Sequence, residues 1–254
     1  MCCSIMKNRC LVQMSPDERP LLCLKDLYLG QQSKGGFHFM KQLTEVVFIL
    51  DRSGSMHGLE KDTIGGFNSM LTKQKEVEGD VLVSTVLFDD KCQVLHDRLP
   101  IQEIKPMTEK EYYVRGCTAL LDAVGGAVHH IGNIHKYARE EDRPSKTLFV
   151  IITDGMENSS KRYDYAKVKQ MIERQQERYG WEFMFLGANM DAIGEAGRFG
   201  IKAHMAAEYL CDDVGTALNY EAVNEVMCNV RACRAMTSEW KEKIEKDVAK
   251  RRRR

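Results

Sequence analysis

Glu45-Val46-Val47-Phe48-Ile49-Leu50 is an almost unbroken apolar run. Apolar character without alternation marks a strand buried on both faces of a parallel sheet. Asp80 to Phe88, Thr147 to Thr153 and Trp181 to Leu186 read the same way. Between them the period changes to that of a helix. Leu59 to Val77 carries Ile64, Phe67, Met70 and Leu71 on one stripe, and Thr118 to Tyr137 carries Leu121, Val124, Val128 and Ile131. Tyr163 to Tyr179 is amphipathic, and Val214 to about Lys250 reads as helix in one or two pieces. Cys92 to Leu95 can return across Asp89-Asp90-Lys91 as an antiparallel edge, and Ile201 to Met205 reads as a last edge strand. Pro100 to Met107 and Arg139 to Lys146 read as loops, with a short turn at Thr108 to Tyr113. Strands alternating with helices predict an α/β fold with a doubly wound, mostly parallel sheet. Gly65-Gly66 inside the first helix costs roughly 1 kcal/mol per glycine, which predicts a close helix-to-sheet contact there.

Ligands of such sheets bind at the carboxyl ends of the strands. Three segments place chemistry at those ends or beside them. Asp51-Arg52-Ser53-Gly54-Ser55 follows the first strand and offers one carboxylate and two hydroxyls. Arg115-Gly116-Cys117-Thr118-Ala119-Leu120-Leu121-Asp122 opens a helix and offers another hydroxyl. Leu148-Phe149-Val150-Ile151-Ile152-Thr153-Asp154-Gly155 is a strand that ends in a carboxylate. Oxygen donors with few charges suit a hard divalent cation such as Mg2+. The bland alternative is a capped turn, since Asp and Ser are common there. A calcium EF-hand loop requires Gly at its sixth position, where this chain has Met56. Gly187-Ala188-Asn189-Met190-Asp191 ends a further strand, with Asn189 or Asp191 as the cap of the next helix.

Taken together the three segments resemble the von Willebrand factor A (vWA) domain over roughly residues 41–235, closest to small stand-alone bacterial and phage versions. The resemblance implies a Rossmann-like fold and a metal-ion-dependent adhesion site (MIDAS) made of Asp51, Ser53, Ser55, Thr118 and Asp154. It implies that Ser53 and Ser55 touch the metal directly, and that Asp51 and Asp154 do so directly or through water. Thr118 would enter or leave direct contact. The ion would be Mg2+, or Mn2+ or Ca2+, with an open position for an Asp or Glu of a partner protein. A ring ATPase, which the family often accompanies, is one such partner. That is binding rather than catalysis, so the chain is expected not to be an enzyme. The alternative is a metal-dependent hydrolase or phosphatase. A haloacid-dehalogenase phosphatase needs a second Asp two positions after the nucleophile, where this chain has Ser53. No G-x-S-x-G elbow and no phosphate-cradling loop ending in Gly-Lys-Ser/Thr is present.

The remaining features narrow the class. Of 254 residues, 37 are basic and 37 acidic, so no overall field draws the chain to nucleic acid or an anionic membrane. No apolar run approaches the ~20 residues that span a bilayer. Nine cysteines form an odd count without paired spacing, which fits reduced thiols in a cytoplasmic protein. Residues 1–40 read as a leader: disordered, an over-long reading frame, or an extension packed on the domain. Residues 236–254 read as a C-terminal helical extension with a basic tail, Lys250 to Arg254, in the first instance solvated. His129, His130 and His135 lack zinc-site spacing and read as a helix face, and His57 stands at the rim of the site or on the surface.

Overall fold

The computed structural model describes residues 43–252, and the expected leader over 1–40 lies outside them. The sheet has the strand order β3-β2-β1-β4-β5-β6. β1 (Thr44–Asp51) lies at its centre, parallel to β2 (Val81–Phe88) and β4 (Lys146–Thr153). β5 (Glu182–Ala188) and β6 (Ala206–Tyr209) extend it in parallel. β3 (Cys92–Pro100) closes the other edge and is antiparallel. The doubly wound, mostly parallel architecture with one antiparallel edge is therefore the one the apolar runs predict. Every residue of β1 is buried, which explains why it lacks alternation.

The helices flank the sheet in two packed sets. α1 (Glu60–Lys75) packs with α5 (Asp213–Arg231), and α5 with α6 (Glu242–Arg252). α2 (Leu120–Tyr137) packs with α3 (Tyr165–Tyr179), and α3 with α4 (Ala192–Arg198). Successive side chains of β1 serve opposite layers. Phe48 meets Phe67 of α1 edge-on at 5.2 Å, and Phe67 meets Tyr220 of α5 at 6.5 Å. Beneath α2, Phe149 stacks between Trp181 at 5.3 Å and Phe183 at 4.9 Å.

Four local expectations change. Gly66 packs against another helix, not the sheet: a Cβ there would come within 2.2 Å of the Tyr220 ring, while Gly65 faces open space. β3 runs past Leu95 to Pro100, because a bulge turns Arg98 to φ 51° and its guanidinium reaches buried Glu45 at 2.6 Å. The last strand is Ala206–Tyr209 rather than Ile201 to Met205. The carbonyls of Ala203 and His204 accept instead from Lys241 Nζ at 3.1 Å and Trp240 Nε1 at 3.0 Å. Finally, the helix expected from Thr118 begins at Leu120, which leaves Thr118 in the preceding loop.

The C-terminal helical region is two pieces. Asp212 caps α5 through Gly215 N at 2.8 Å. The basic end of α6 is not free: Arg251 pairs with Asp212 and Asp247, and Arg252 with Glu208.

Candidate metal centre

β1 delivers Asp51 to the carboxyl edge of the sheet, and three hydrogen bonds fix it there. Its Oδ1 accepts from Ser53 N at 2.7 Å, its Oδ2 from Thr153 Oγ1 at 2.5 Å, and its carbonyl from Tyr112 OH at 2.5 Å. Past Asp51 the chain turns through Gly54–Met56, so Ser53 and Ser55 come to the same side, their Oγ atoms 3.0 Å apart. Ser55 Oγ also donates to Asp154 Oδ1 at 2.5 Å, which links the end of β1 to the end of β4. Thr118 is buried and held by Asn158, whose Oδ1 accepts from Thr118 N at 2.9 Å and whose N donates to Thr118 O at 3.0 Å. A Cβ built on Gly155 would lie 2.6 Å from Thr118 Oγ1 and 3.2 Å from Ser55 Oγ. Gly155 thus leaves open a cradle between the Thr118 hydroxyl and the rest. The structure brings all five of these side chains together.

The donor set suits a hard cation. Among the described residues, no three His, Cys, Asp or Glu side chains cluster as a metal site. This group has only two carboxylates; hydroxyls make up the remainder. Asp51 is 1% exposed, and burial, its Thr153 and Ser53 bonds notwithstanding, raises its carboxyl from 3.8 to about 6. The charge of Asp154 adds least to that rise, so desolvation rather than repulsion makes Asp51 costly without a cation. A divalent ion would supply the missing charge. Asp51, Ser53, Ser55, Thr118 and Asp154 fit it, and Gly155 leaves room for it.

The comparisons with known proteins agree at the level of fold. No protein-family model and no curated protein sequence matches the chain. Among solved structures, proximal thread matrix protein 1 of the mussel byssus, with its MIDAS motif occupied by zinc, matches with a TM-score of 0.51 at 13% identity, over 74% of this chain and 46% of that one. The manganese-loaded TRAP protein of Plasmodium vivax matches at 0.50 and 14% identity, over 70% and 72%. The D319A mutant of the PilB minor pilin of Streptococcus sanguinis matches at 0.53 and 10% identity, over 78% and 63%. The fold is that of vWA domains. Identities this low carry the fold alone, and this chain spans less than half of the mussel protein.

Several partners of the five residues escape a reading of the sequence. Thr153 and Gly155 flank Asp154 and were legible as neighbours, but Tyr112, Asn158 and Cys211 come from distant segments. Cys211 stands directly beside the site: its Sγ donates to Asp154 Oδ2 at 3.3 Å. Burial first, then the charge of Asp154, pushes its thiol up to about 12. Cys117, next to Thr118, is exposed.

The other candidates stand apart. His130 pairs with Asp97 at 2.9 Å and His135 with Glu45, so these two serve different partners. His57 is exposed beside Glu60 at 3.4 Å. Asp191 caps α4 through Gly194 N at 2.9 Å, while Asn189 turns the chain at φ 55°.

Proposed function

We propose that this domain is a divalent-metal-dependent protein-interaction module whose MIDAS is formed by Asp51, Ser53, Ser55, Thr118 and Asp154. The observation that carries the reading is the chain of contacts from Ser53 through Ser55 to Asp154, with the Thr118 hydroxyl facing the same space across Gly155. Mg2+ is the ion best suited to oxygen donors with two carboxylates, and Mn2+ or Ca2+ can substitute. Bound there, the ion would act as a Lewis acid that accepts a carboxylate of a partner protein. Asp51 and Asp154 would balance its charge and the hydroxyls of Ser53, Ser55 and Thr118 would supply neutral oxygen donors, while the Asp51 contacts to Thr153 and Tyr112 keep the cradle in place.

This assigns binding rather than turnover. Cys211, the thiol beside the site, is held protonated and is a poor nucleophile. No helix among the described residues is long and apolar enough to cross a membrane. We place the protein in the cytoplasm, a reading that the free thiols of the described cysteines support, with an acidic segment of a larger assembly, such as a ring ATPase, as partner.

The test is a pair of measurements. Isothermal titration should show one Mn2+ or Mg2+ site, and Thr118→Ala should weaken it while leaving the metal-free melting temperature unchanged. Metal affinity that survives Asp51→Ala and Thr118→Ala together would refute the assignment.

A further inference from the structure

Beside the metal cradle, two arginines share one carboxylate. Arg52, between Asp51 and Ser53, is fully buried, and its Nε donates to Asp89 Oδ2 at 2.9 Å. Arg115 Nε donates to the same Oδ2 at 2.8 Å, yet the Arg115 side chain is 45% exposed. Both guanidiniums lie against the Tyr113 ring, at 5.1 Å and 5.3 Å from its centroid. Arg52 Nη1 finds Gln93 Oε1 at 2.9 Å, but its Nη2 is buried with no acceptor. Asp90, on the same turn as Asp89, is exposed; no ion pair joins it to either arginine, but it lies against Gly116 and its charge acts on Arg115. The two arginines are thus matched in charge by Asp89 and Asp90, yet they hold a surplus of N–H donors without an acceptor among the described residues, Arg52 Nη2 and Arg115 Nη1 and Nη2.

This surplus stands next to the metal loop. Arg115 N donates to Arg52 O at 2.9 Å, and Gly54 N to Gly116 O at 3.1 Å, so the Arg115 loop is stitched to the segment that bears Ser53 and Ser55. With Nε tied to Asp89 and its face on Tyr113, the Arg115 side chain is held in one orientation. Its Nη1 and Nη2 have no partner among the described residues. A guanidinium fixed in this way presents two parallel donors to a planar oxyanion, without the entropy cost that a free surface arginine meets.

We propose that Arg115, seated on Tyr113 and Asp89, is a second anion subsite beside the metal, and that it takes a second carboxylate of the same partner. It rests on the metal-dependent reading of the site, and it narrows the partner to a segment with two acidic groups. The Arg52–Asp89 pair behind it positions the fork and touches no ligand.

The test uses poly-L-glutamate as probe at fixed ionic strength, with the full chain in Mg2+ and in EDTA. The wild type should bind in Mg2+, and Arg115→Gln should weaken binding about tenfold. Arg115→Lys, which keeps the charge and loses the fork, should weaken it too. Mn2+ affinity and melting temperature should match the wild type in both variants, because Asp89 retains Arg52 and Lys91 N. Binding that EDTA abolishes but Arg115→Gln leaves unchanged would overturn the subsite and leave the metal reading standing. Binding that Arg115→Gln weakens but EDTA does not would sink the metal reading and, with it, the placing of Arg115 as a second subsite beside a metal, leaving a lone anion contact. No binding by the wild type would overturn both. Inorganic phosphate displacing the probe far more readily than acetate would overturn the carboxylate assignment.

Discussion

Replacing Asp51 with Asn should stabilise the metal-free domain at neutral pH and abolish its response to divalent ions. Burial raises the Asp51 carboxyl from 3.8 to about 6. An acid whose pKa is higher in the folded state holds its proton more tightly there. The stability linked to that proton is present below 3.8 and is lost as pH rises through about 6. The gap corresponds to about 3 kcal/mol once the group is ionised in both states. Asn can keep the acceptor for Ser53 N and offer its amide to Thr153 Oγ1, whose own proton can turn to Gly155 O at 3.0 Å. The amide is therefore accommodated, and a net gain of about 1–3 kcal/mol is expected near neutrality. For a domain of this size each kcal/mol moves melting by roughly 2–4 °C. Differential scanning calorimetry in EDTA, repeated from mildly acidic to mildly alkaline pH, should show the variant's advantage growing and then levelling off above about 7. In excess Mg2+ the wild type should gain by mass action and the variant should not. A variant that melts below the wild type in EDTA at neutral pH, or a difference that pH does not change, would show that burial does not strain this carboxylate.

Metal affinity should itself depend on pH: below about 6, protonation of Asp51 should weaken Mn2+ binding about tenfold per pH unit, as read by titration near pH 7 and pH 5. Gly155→Ala should weaken Mn2+ binding by at least about tenfold while shifting metal-free melting by only a degree or two, because the new methyl meets Thr118 Oγ1 at 2.6 Å rather than the core. The two glycines of α1 should respond in opposite senses. Gly65→Ala enters open space and should stabilise by about 0.5–1 kcal/mol, whereas Gly66→Ala strikes the Tyr220 ring and should destabilise by about 1–3 kcal/mol, both measured by urea denaturation.

The sequence by itself determined the architecture and the candidate site. A strand buried on both faces must be apolar along its whole length, so β1, β2, β4 and β5 announce themselves locally. Asp51, Ser53, Ser55 and Asp154 were legible because the carboxyl end of a parallel strand is where backbone and side-chain donors face open space. What surrounds them was not. Tyr112 reaches Asp51 from 61 residues away and Cys211 reaches Asp154 from 57, spacings that leave no periodic trace in the chain. Arg52 reads from the sequence as the arbitrary second position of a motif, and Asp89 as a turn residue. Only the packing of β1 beside β2 brings them to 2.9 Å and sets Arg115 against both. The edges moved for a related reason. Ala206–Tyr209 pairs with β5, and the carbonyls at and before its start, Ala203, His204 and Ala206, accept from Trp240 and Lys241, partners that lie in the C-terminal segment rather than beside the strand in sequence. Local pattern decides which segments must be buried; their hydrogen-bond partners are decided by neighbours that the pattern does not name.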